Sequence, residues 1–159
     1  MGWVQKYFGI KVYFVKEDSM YKFSKASIAK LKTCHPLLQV IALEAIKEID
    51  FVVIEGARTT AKQQEIYKIG RRGVAGEKPV TWIDGITKKS KHNHTPSLAM
   101  DLAPYIDRKI PWNDTKAFDA LAAVIMRIAQ ENATPLVWGG SWKRFKDRPH
   151  FELSSVVTR

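Results

Sequence analysis

Two polar segments in the second half of the chain carry histidines and carboxylates at spacings that suit a metal site. One segment spans residues 90–101 and the other spans residues 147–152. A catalytic zinc takes three protein ligands from histidine and carboxylate side chains and leaves one position for water. Two histidines and one aspartate from these segments meet that requirement. The chemically capable residues are Ser90, His92, His94, Asp101, Asp147, His150 and Glu152.

Asp101 is the residue whose surroundings most need an explanation. It lies inside the apolar run 98–103, between Met100 and Leu102. A carboxylate buried in a strand without a partner is costly, so it requires a cation or a hydrogen-bond donor nearby. A metal ion is one such partner.

Asp147 precedes His150 by three residues, which is close enough to share the site without binding the metal. A carboxylate in that place can take a proton from zinc-activated water, whose pKa falls toward about 7, and pass it to a leaving amine. The alternative is a surface ion pair, because the turn 143–148 is strongly basic. Taken alone, Asp147 does not decide between the two.

A third polar cluster, residues 55–59, follows the apolar run 51–54. Arg58 in this cluster could be a solvated loop residue, and Glu152 could lie on the outer face of a strand. Each polar residue has such a structural explanation when it is considered singly. The joint occurrence of the three clusters favours one shared site.

The surrounding pattern predicts one α+β domain over residues 20–159. Apolar residues recur at intervals of three and four in the helical segments, and short apolar runs bounded by turn residues mark the strands. Residues 70–97 form a long basic loop, which is usually functional in a compact domain. The predicted helices are 24–31, 36–49, 60–69 and 113–132, and the predicted strands are 51–54, 98–103, 136–138 and 150–153.

Composition narrows the function further. The 159 residues include 26 Lys and Arg against 16 Asp and Glu, a net charge of +10, which favours a polyanionic partner such as the bacterial envelope or nucleic acid. The single cysteine excludes an intrachain disulfide and a four-cysteine zinc site. The aromatic residues mostly follow core spacings rather than a stacking platform, so no nucleic-acid partner is expected.

Residues 1–19 form an N-terminal extension of aromatic, basic and β-prone character. The extension lacks the continuous apolar centre and the small-residue cleavage site of a secretory signal. It could be an added strand, a membrane-touching segment or a leader ahead of Met20. We therefore expect no signal peptide, no stable membrane insertion and a monomer.

Three ordered motifs make the sequence resemble the VanY/VanX-like zinc peptidases, which include D-alanyl-D-alanine carboxypeptidases and phage L-alanyl-D-glutamate endolysins. The resemblance runs from about residue 21 to residue 153. The resemblance implies a small antiparallel sheet flanked by helices, with zinc on the exposed face of the sheet. The motifs are Glu55-Gly56-Ala57-Arg58-Thr59 followed by Gln63 and Tyr67, then Ser90-Lys91-His92 leading to Ala99-Met100-Asp101, and Trp138-Gly139-Gly140 with Asp147-Arg148-Pro149-His150-Phe151-Glu152.

The resemblance also implies roles for individual residues. His92, Asp101 and His150 are the implied Zn²⁺ ligands, and Asp147 is the implied general base and acid. Arg58 is implied to stabilise the negative charge on the tetrahedral oxygen, because its charge is fixed and its donors form a rigid fork. Ser90 and Gln63 match positions that shape or contact the substrate.

The spacing of the second motif leaves two candidates for the first histidine. Many relatives place six residues between this histidine and the aspartate, which would select His94. The Ser-x-His pattern instead falls on His92, and Pro96 and Ser97 match relatives with a longer intervening loop. We favour His92, with His94 lining the cleft or without a role.

The function implied is hydrolysis of peptidoglycan stem peptides by a zinc-dependent enzyme. A phage endolysin with L-alanyl-D-glutamate endopeptidase activity fits best, made in the host cytoplasm and released to the cell wall at lysis. One alternative is a D-alanyl-D-alanine carboxypeptidase or dipeptidase. Another is a non-catalytic binder of the wall or of nucleic acid on the same scaffold.

Overall fold

The computed structural model describes residues 3–8 and 11–16 as backbone, and residues 20–73 and 76–154 in full. Strands β1 (Trp3–Phe8) and β2 (Lys11–Lys16) pair with each other in an antiparallel two-stranded sheet. The rest of the predicted extension 1–19 lies outside the described residues. Among the described helices, none has the length and apolar character needed to cross a membrane.

Four helices follow in the described part of the chain, and polar side chains cap their first turns. They are α1 (Lys25–Leu31), α2 (Pro36–Ala45), α3 (Thr60–Lys68) and α4 (Thr115–Glu131). Ser24, Thr59 and Asp114 each accept a hydrogen bond from a backbone N–H three residues ahead, at 3.1–3.2 Å. Such caps satisfy amides that have no partner within the helix.

The central element is a four-stranded antiparallel sheet. Its strands are β3 (Phe51–Glu55), β4 (Ala99–Pro104), β5 (Leu136–Trp138) and β6 (His150–Leu153). They are ordered β3-β4-β6-β5, which places the second and third polar motifs on neighbouring strands in the middle of the sheet. The predicted α+β class with a small antiparallel sheet and flanking helices is confirmed.

One face of the sheet packs against the helices and forms the core. Met100 and Leu102 of β4 and Phe151 and Leu153 of β6 are at most 1% exposed and belong to one apolar cluster. Helix α4 contributes a buried stripe at intervals of three and four. The stripe consists of Phe118, Leu121, Ala122, Ile125, Ile128 and Ala129. Because side chains alternate along a strand, the residues between the core positions of β4 and β6 face the other way.

A β-bulge in β3 decides which side chain of that strand joins this second face. Val53 pairs with Leu102 and Glu55 pairs with Asp101, so a step of two residues along β3 is matched by a step of one residue along β4. Without the bulge Val53 and Glu55 would share a face. With it, Val53 stays in the core and Glu55 lies beside Asp101.

Gly56 directly follows this strand, at a point where no side chain fits. A methyl group on its Cα would overlap the Thr33 hydroxyl and the Lys30 carbonyl, and would lie 2.9 Å from the Cys34 sulfur. The backbone of Gly56 therefore packs directly against the end of α1 and the side chains of Thr33 and Cys34 that follow it.

Replacement of Gly56 by alanine tests that contact. We expect Gly56→Ala to lower the free energy of unfolding by about 1–3 kcal/mol, the usual cost of overpacking, as measured by urea denaturation. Ala57→Ser also adds one heavy atom, but at an exposed neighbour, and should change stability by less than about 0.5 kcal/mol. Equal stabilities for the two variants would contradict the close packing.

Candidate metal and catalytic site

His92, Asp101 and His150 meet on the face of the sheet opposite the core. His92 lies in a 3₁₀ turn, Lys91–Asn93, while Asp101 and His150 are paired across β4 and β6. Asp101 Oδ1 lies 3.2 Å from His92 Nε2 and 3.0 Å from His150 Nδ1. The two ring nitrogens are 3.2 Å apart. One nitrogen or oxygen atom from each residue thus converges on a common point.

The outer nitrogen of each imidazole is held by an acceptor. His92 Nδ1 donates to the Gly56 carbonyl at 2.8 Å, and His150 Nε2 donates to Glu152 Oε2 at 3.0 Å. These bonds orient both rings and leave His92 Nε2 and His150 Nδ1 pointing at Asp101. Carbonyl and carboxylate partners of this kind are typical behind metal-binding histidines. The donor set therefore fits a divalent metal ion.

The charges within the cluster depend strongly on one another. Burial alone would raise the pKa of Asp101, but hydrogen bonds from His150 and His92 hold that pKa well below its usual range. Burial alone would lower the pKa of His150, whereas its bonds to Asp101 and Glu152 raise the pKa to about 9. A proton on His150 thus takes the place that a metal cation would fill, because each is a positive charge between the same acceptors.

Arg58 lies at the edge of this cluster in a fixed orientation. Its Nε donates to Glu55 Oε2 at 2.9 Å, its Nη2 bonds the same oxygen, and its Nη1 donates to Gln63 Oε1 at 3.0 Å. Nη2 also lies 3.7 Å from Asp101 Oδ2. The guanidinium is therefore held beside the metal-binding candidates rather than in solvent, and its side chain is only 12% exposed.

The segments that carry Arg58 and His92 are joined by backbone as well as side-chain bonds. The Arg58 amide donates to the His92 carbonyl at 2.8 Å, and Asn93 Nδ2 donates to the Arg58 carbonyl at 2.9 Å. Together with the bond from His92 to Gly56, these contacts bring the first and second sequence motifs together. The position of one motif therefore constrains the other.

Asp147 lies close to the cluster without being part of it. Burial raises the pKa of this carboxyl, and the neighbouring Asp101 raises it further. Among the described residues, no hydrogen bond or ion pair holds its side chain. Gly139 makes this position possible, because an added Cβ there would overlap the Asp147 carbonyl and lie 3.1 Å from His150 Cβ. Asp147 is therefore a partly buried carboxyl beside the cluster.

The remaining predicted site residues differ in their access to a ligand. Gln63 is completely buried, and Ser90 is 9% exposed, with its hydroxyl 2.9 Å from Asn93 Oδ1 and 3.3 Å from Gln63 Oε1. His94 follows the 3₁₀ turn but is not one of the three clustered residues. Burial, followed by the positive charges of Lys89 and Lys91, lowers the pKa of His94.

Cys34 does not offer an alternative chemistry. It is a free cysteine, buried at 1% exposure, and burial raises its pKa to about 12. Its thiol therefore stays protonated at neutral pH and lacks the thiolate that a cysteine peptidase requires.

Sequence reasoning did not assign roles to several residues that complete the site. Glu152 and Glu55 orient His150 and Arg58, and the Gly56 carbonyl orients His92. The sequence did carry a signal for Glu152. It follows His150 by two residues on a predicted strand, and residues two apart on a strand share a face. The role of Glu55 depends on the bulge in β3, for which the sequence carries no comparable signal.

The comparisons with known proteins identify the family of the chain. Residues 19–154 match the family model described as phage L-alanyl-D-glutamate peptidase. The chain is 31% identical over 129 residues to the L-alanyl-D-glutamate peptidase of Escherichia phage T5, covering 80% of this chain and 85% of that protein. It is 37% identical over 131 residues to the peptidoglycan L-alanyl-D-glutamate endopeptidase CwlK of Bacillus subtilis, covering 75% of this chain and 72% of that protein.

A solved structure extends the similarity to the fold. The L-Ala D-Glu endopeptidase ChiX of Serratia marcescens matches with a TM-score of 0.67 and 26% identity, over 89% of this chain and 97% of that one. The family expected from the three motifs is thereby confirmed. With 19–154 matched, most of its length, the chain belongs to the phage L-alanyl-D-glutamate peptidase family.

Proposed function

We propose that the protein is a zinc-dependent endopeptidase that hydrolyses the L-alanyl-D-glutamate bond of peptidoglycan stem peptides. The convergence of His92, Asp101 and His150 beside Arg58 and Asp147 supports the chemistry, and the family supports the substrate. A host-lysing phage enzyme, made in the host cytoplasm and reaching the wall at lysis, is the corresponding biological setting.

The residues proposed to hold the metal are His92 through Nε2, His150 through Nδ1 and Asp101 through its carboxylate. Two nitrogens and one carboxylate oxygen are a donor set that suits zinc. When bound, zinc supplies a Lewis acid and lowers the pKa of water toward about 7. The outer N–H groups of the two rings donate to the Gly56 carbonyl and to Glu152, which keeps both ligands in the tautomer that metal binding requires.

Asp147 is proposed as the proton carrier. In the first step its carboxylate takes a proton from the attacking water, and in the second it gives that proton to the amine leaving from D-glutamate. Its raised pKa, caused first by burial and then by Asp101, supports this role because a carboxyl closer to neutrality holds a proton more readily between the two steps.

Arg58 is proposed to stabilise the negative charge that develops on the scissile carbonyl oxygen. Its guanidinium is fixed by Glu55 and Gln63 before any substrate arrives. A preorganised cation costs no reorientation when charge develops in the transition state.

The charge of the chain suits the proposed target. An excess of ten positive charges favours anionic wall polymers and envelope lipids, an attraction that salt weakens. The partner proposed is therefore the peptidoglycan stem peptide within an anionic envelope surface.

Digestion of purified peptidoglycan tests the reaction. We expect mass spectrometry to show new amino-terminal D-glutamate and new carboxyl-terminal L-alanine ends, which disappear with a chelator and return when Zn²⁺ is added back. Release of terminal D-alanine alone would indicate a carboxypeptidase. Absence of any metal-dependent product would favour a binding protein.

Substitution of Asp147 separates proton transfer from metal binding. We expect Asp147→Asn to retain zinc and to lose about 10²–10⁴-fold in kcat, the usual contribution of general acid–base catalysis. Asp101→Ala and His150→Ala should lose zinc and activity together, as measured by metal content and muropeptide hydrolysis. An Asp147→Asn rate near that of the wild type would refute the proton-transfer role.

Glu152 provides a test of the orientation of His150. Glu152→Ala removes the acceptor for His150 Nε2–H and should weaken zinc binding by about 10–100-fold, as measured by competition with a chromogenic chelator. Glu152→Gln is the matched control, because its amide oxygen can still accept that bond. Equal zinc affinity in all three proteins would show that His150 needs no such partner.

A further inference from the structure

Gln63 is an unusual residue for the helix that carries it. It is completely buried, whereas Ala61, Lys62 and Glu65 around it on α3 are exposed. A buried amide is costly unless its oxygen and nitrogen both find hydrogen-bond partners. Hydrogen bonds to neighbouring groups must therefore offset the cost of burying the Gln63 amide.

The amide of Gln63 joins three segments of the chain. Oε1 accepts from Arg58 Nη1 at 3.0 Å and lies 3.3 Å from the Ser90 hydroxyl. Nε2 donates to the Ile83 carbonyl at 2.7 Å and lies 3.5 Å from Thr81 Oγ1. The oxygen thus faces the candidate active site, and the nitrogen faces the loop that follows α3.

That loop is shaped to pack on Gln63. The Asp84 carboxylate accepts bonds from the amides of Ile86, Thr87 and Lys88. Gly85, at φ +80, lies so close that an added Cβ would be 2.8 Å from Gln63 Cγ. The turn 84–88 therefore rests directly on the stem of the glutamine.

The contact with Arg58 is the one that bears on catalysis. Glu55 binds one edge of the guanidinium through Nε and Nη2, and Gln63 binds Nη1. Loss of the Gln63 bond would leave the guanidinium with Glu55 and the longer ion pair to Asp101, and with no partner for Nη1 to fix its orientation toward the substrate. Misplacement of a catalytic group by about 1 Å can cost 10²-fold in rate.

We propose that Gln63 is a positioning residue, which holds Arg58 toward the reacting carbonyl and docks the loop 81–88 against the active site. This inference rests on the proposed function and replaces the expectation that Gln63 contacts the substrate. An amide with no exposed surface, whose donor and acceptor are both engaged, acts through its neighbours.

Kinetics on a soluble muropeptide test the proposal. We expect Gln63→Met, which keeps the volume but removes both hydrogen-bonding groups, to lower kcat by about 10–100-fold with KM within about twofold and zinc content unchanged. A transition-state effect with unchanged substrate binding has this signature. Gln64→Met makes the same change at the next position of α3 and should leave kcat and KM at wild-type values.

A double-mutant cycle distinguishes action through Arg58 from a general structural role. If Gln63 acts through Arg58, adding Gln63→Met to Arg58→Met should cause little further loss in kcat, whereas independent effects would multiply. Multiplying losses, or a raised KM with normal kcat in Gln63→Met, would overturn the proposal. The second result would restore a substrate contact.

A second variant keeps the test decisive if Gln63→Met folds poorly. Gln63→Glu retains an acceptor for Arg58 but loses the donor to Ile83, so its kcat should exceed that of Gln63→Met while hydrogen exchange at amides 83–88 still accelerates. Unchanged exchange in Gln63→Glu would overturn the docking role. Wild-type enzyme in the same assay reports the proposed function separately, because only failure of that function abolishes cleavage in the parent protein.

Discussion

The site depends on a carboxylate in the middle of the sheet whose charge must be balanced. Asp101 is flanked along β4 by the core residues Met100 and Leu102, so it faces the opposite side with only 17% of its side chain exposed. His150 provides part of that balance through the hydrogen bond between its Nδ1 and Asp101 Oδ1 at 3.0 Å, and His92 Nε2 lies 3.2 Å from the same oxygen. A metal ion would provide it more fully, since a divalent cation is attracted to all three groups at once. The same low solvent access that makes Asp101 costly alone makes it an effective ligand.

The rest of the site is arranged around that carboxylate by backbone features. The bulge in β3 turns Glu55 to the Asp101 side, where it fixes Arg58. Two glycines allow close approach, Gly56 against the end of α1 and Gly139 against Asp147 and His150. Each glycine lacks a side chain where two segments meet, and the bulge shifts the register of β3 by a single residue. Small local changes in the chain thus determine which polar groups share the face.

The loop between α3 and the second motif connects this site to the molecular surface. Arg71 stacks on Tyr67 at 3.9 Å and donates to the Thr81 carbonyl at 3.0 Å, while Trp82 between Thr81 and Ile83 is 80% exposed. On its inner side, the same loop is bound by Gln63 through the Ile83 carbonyl. The loop therefore presents an aromatic side chain to solvent, while Gln63 joins its backbone to the guanidinium of Arg58.

The sequence by itself determined the class of the fold, its main elements and the family. Local periodicity and capping residues predict helices and strands, because those signals act over a few neighbouring residues. Motif order also singled out His92, Asp101, His150, Asp147 and Arg58. Only the tertiary structure decided that Gln63 is buried, that Glu55 joins the site and that the Gly56 carbonyl orients His92. These facts depend on strand register and on contacts between residues distant in the chain, which no local pattern in the sequence reveals.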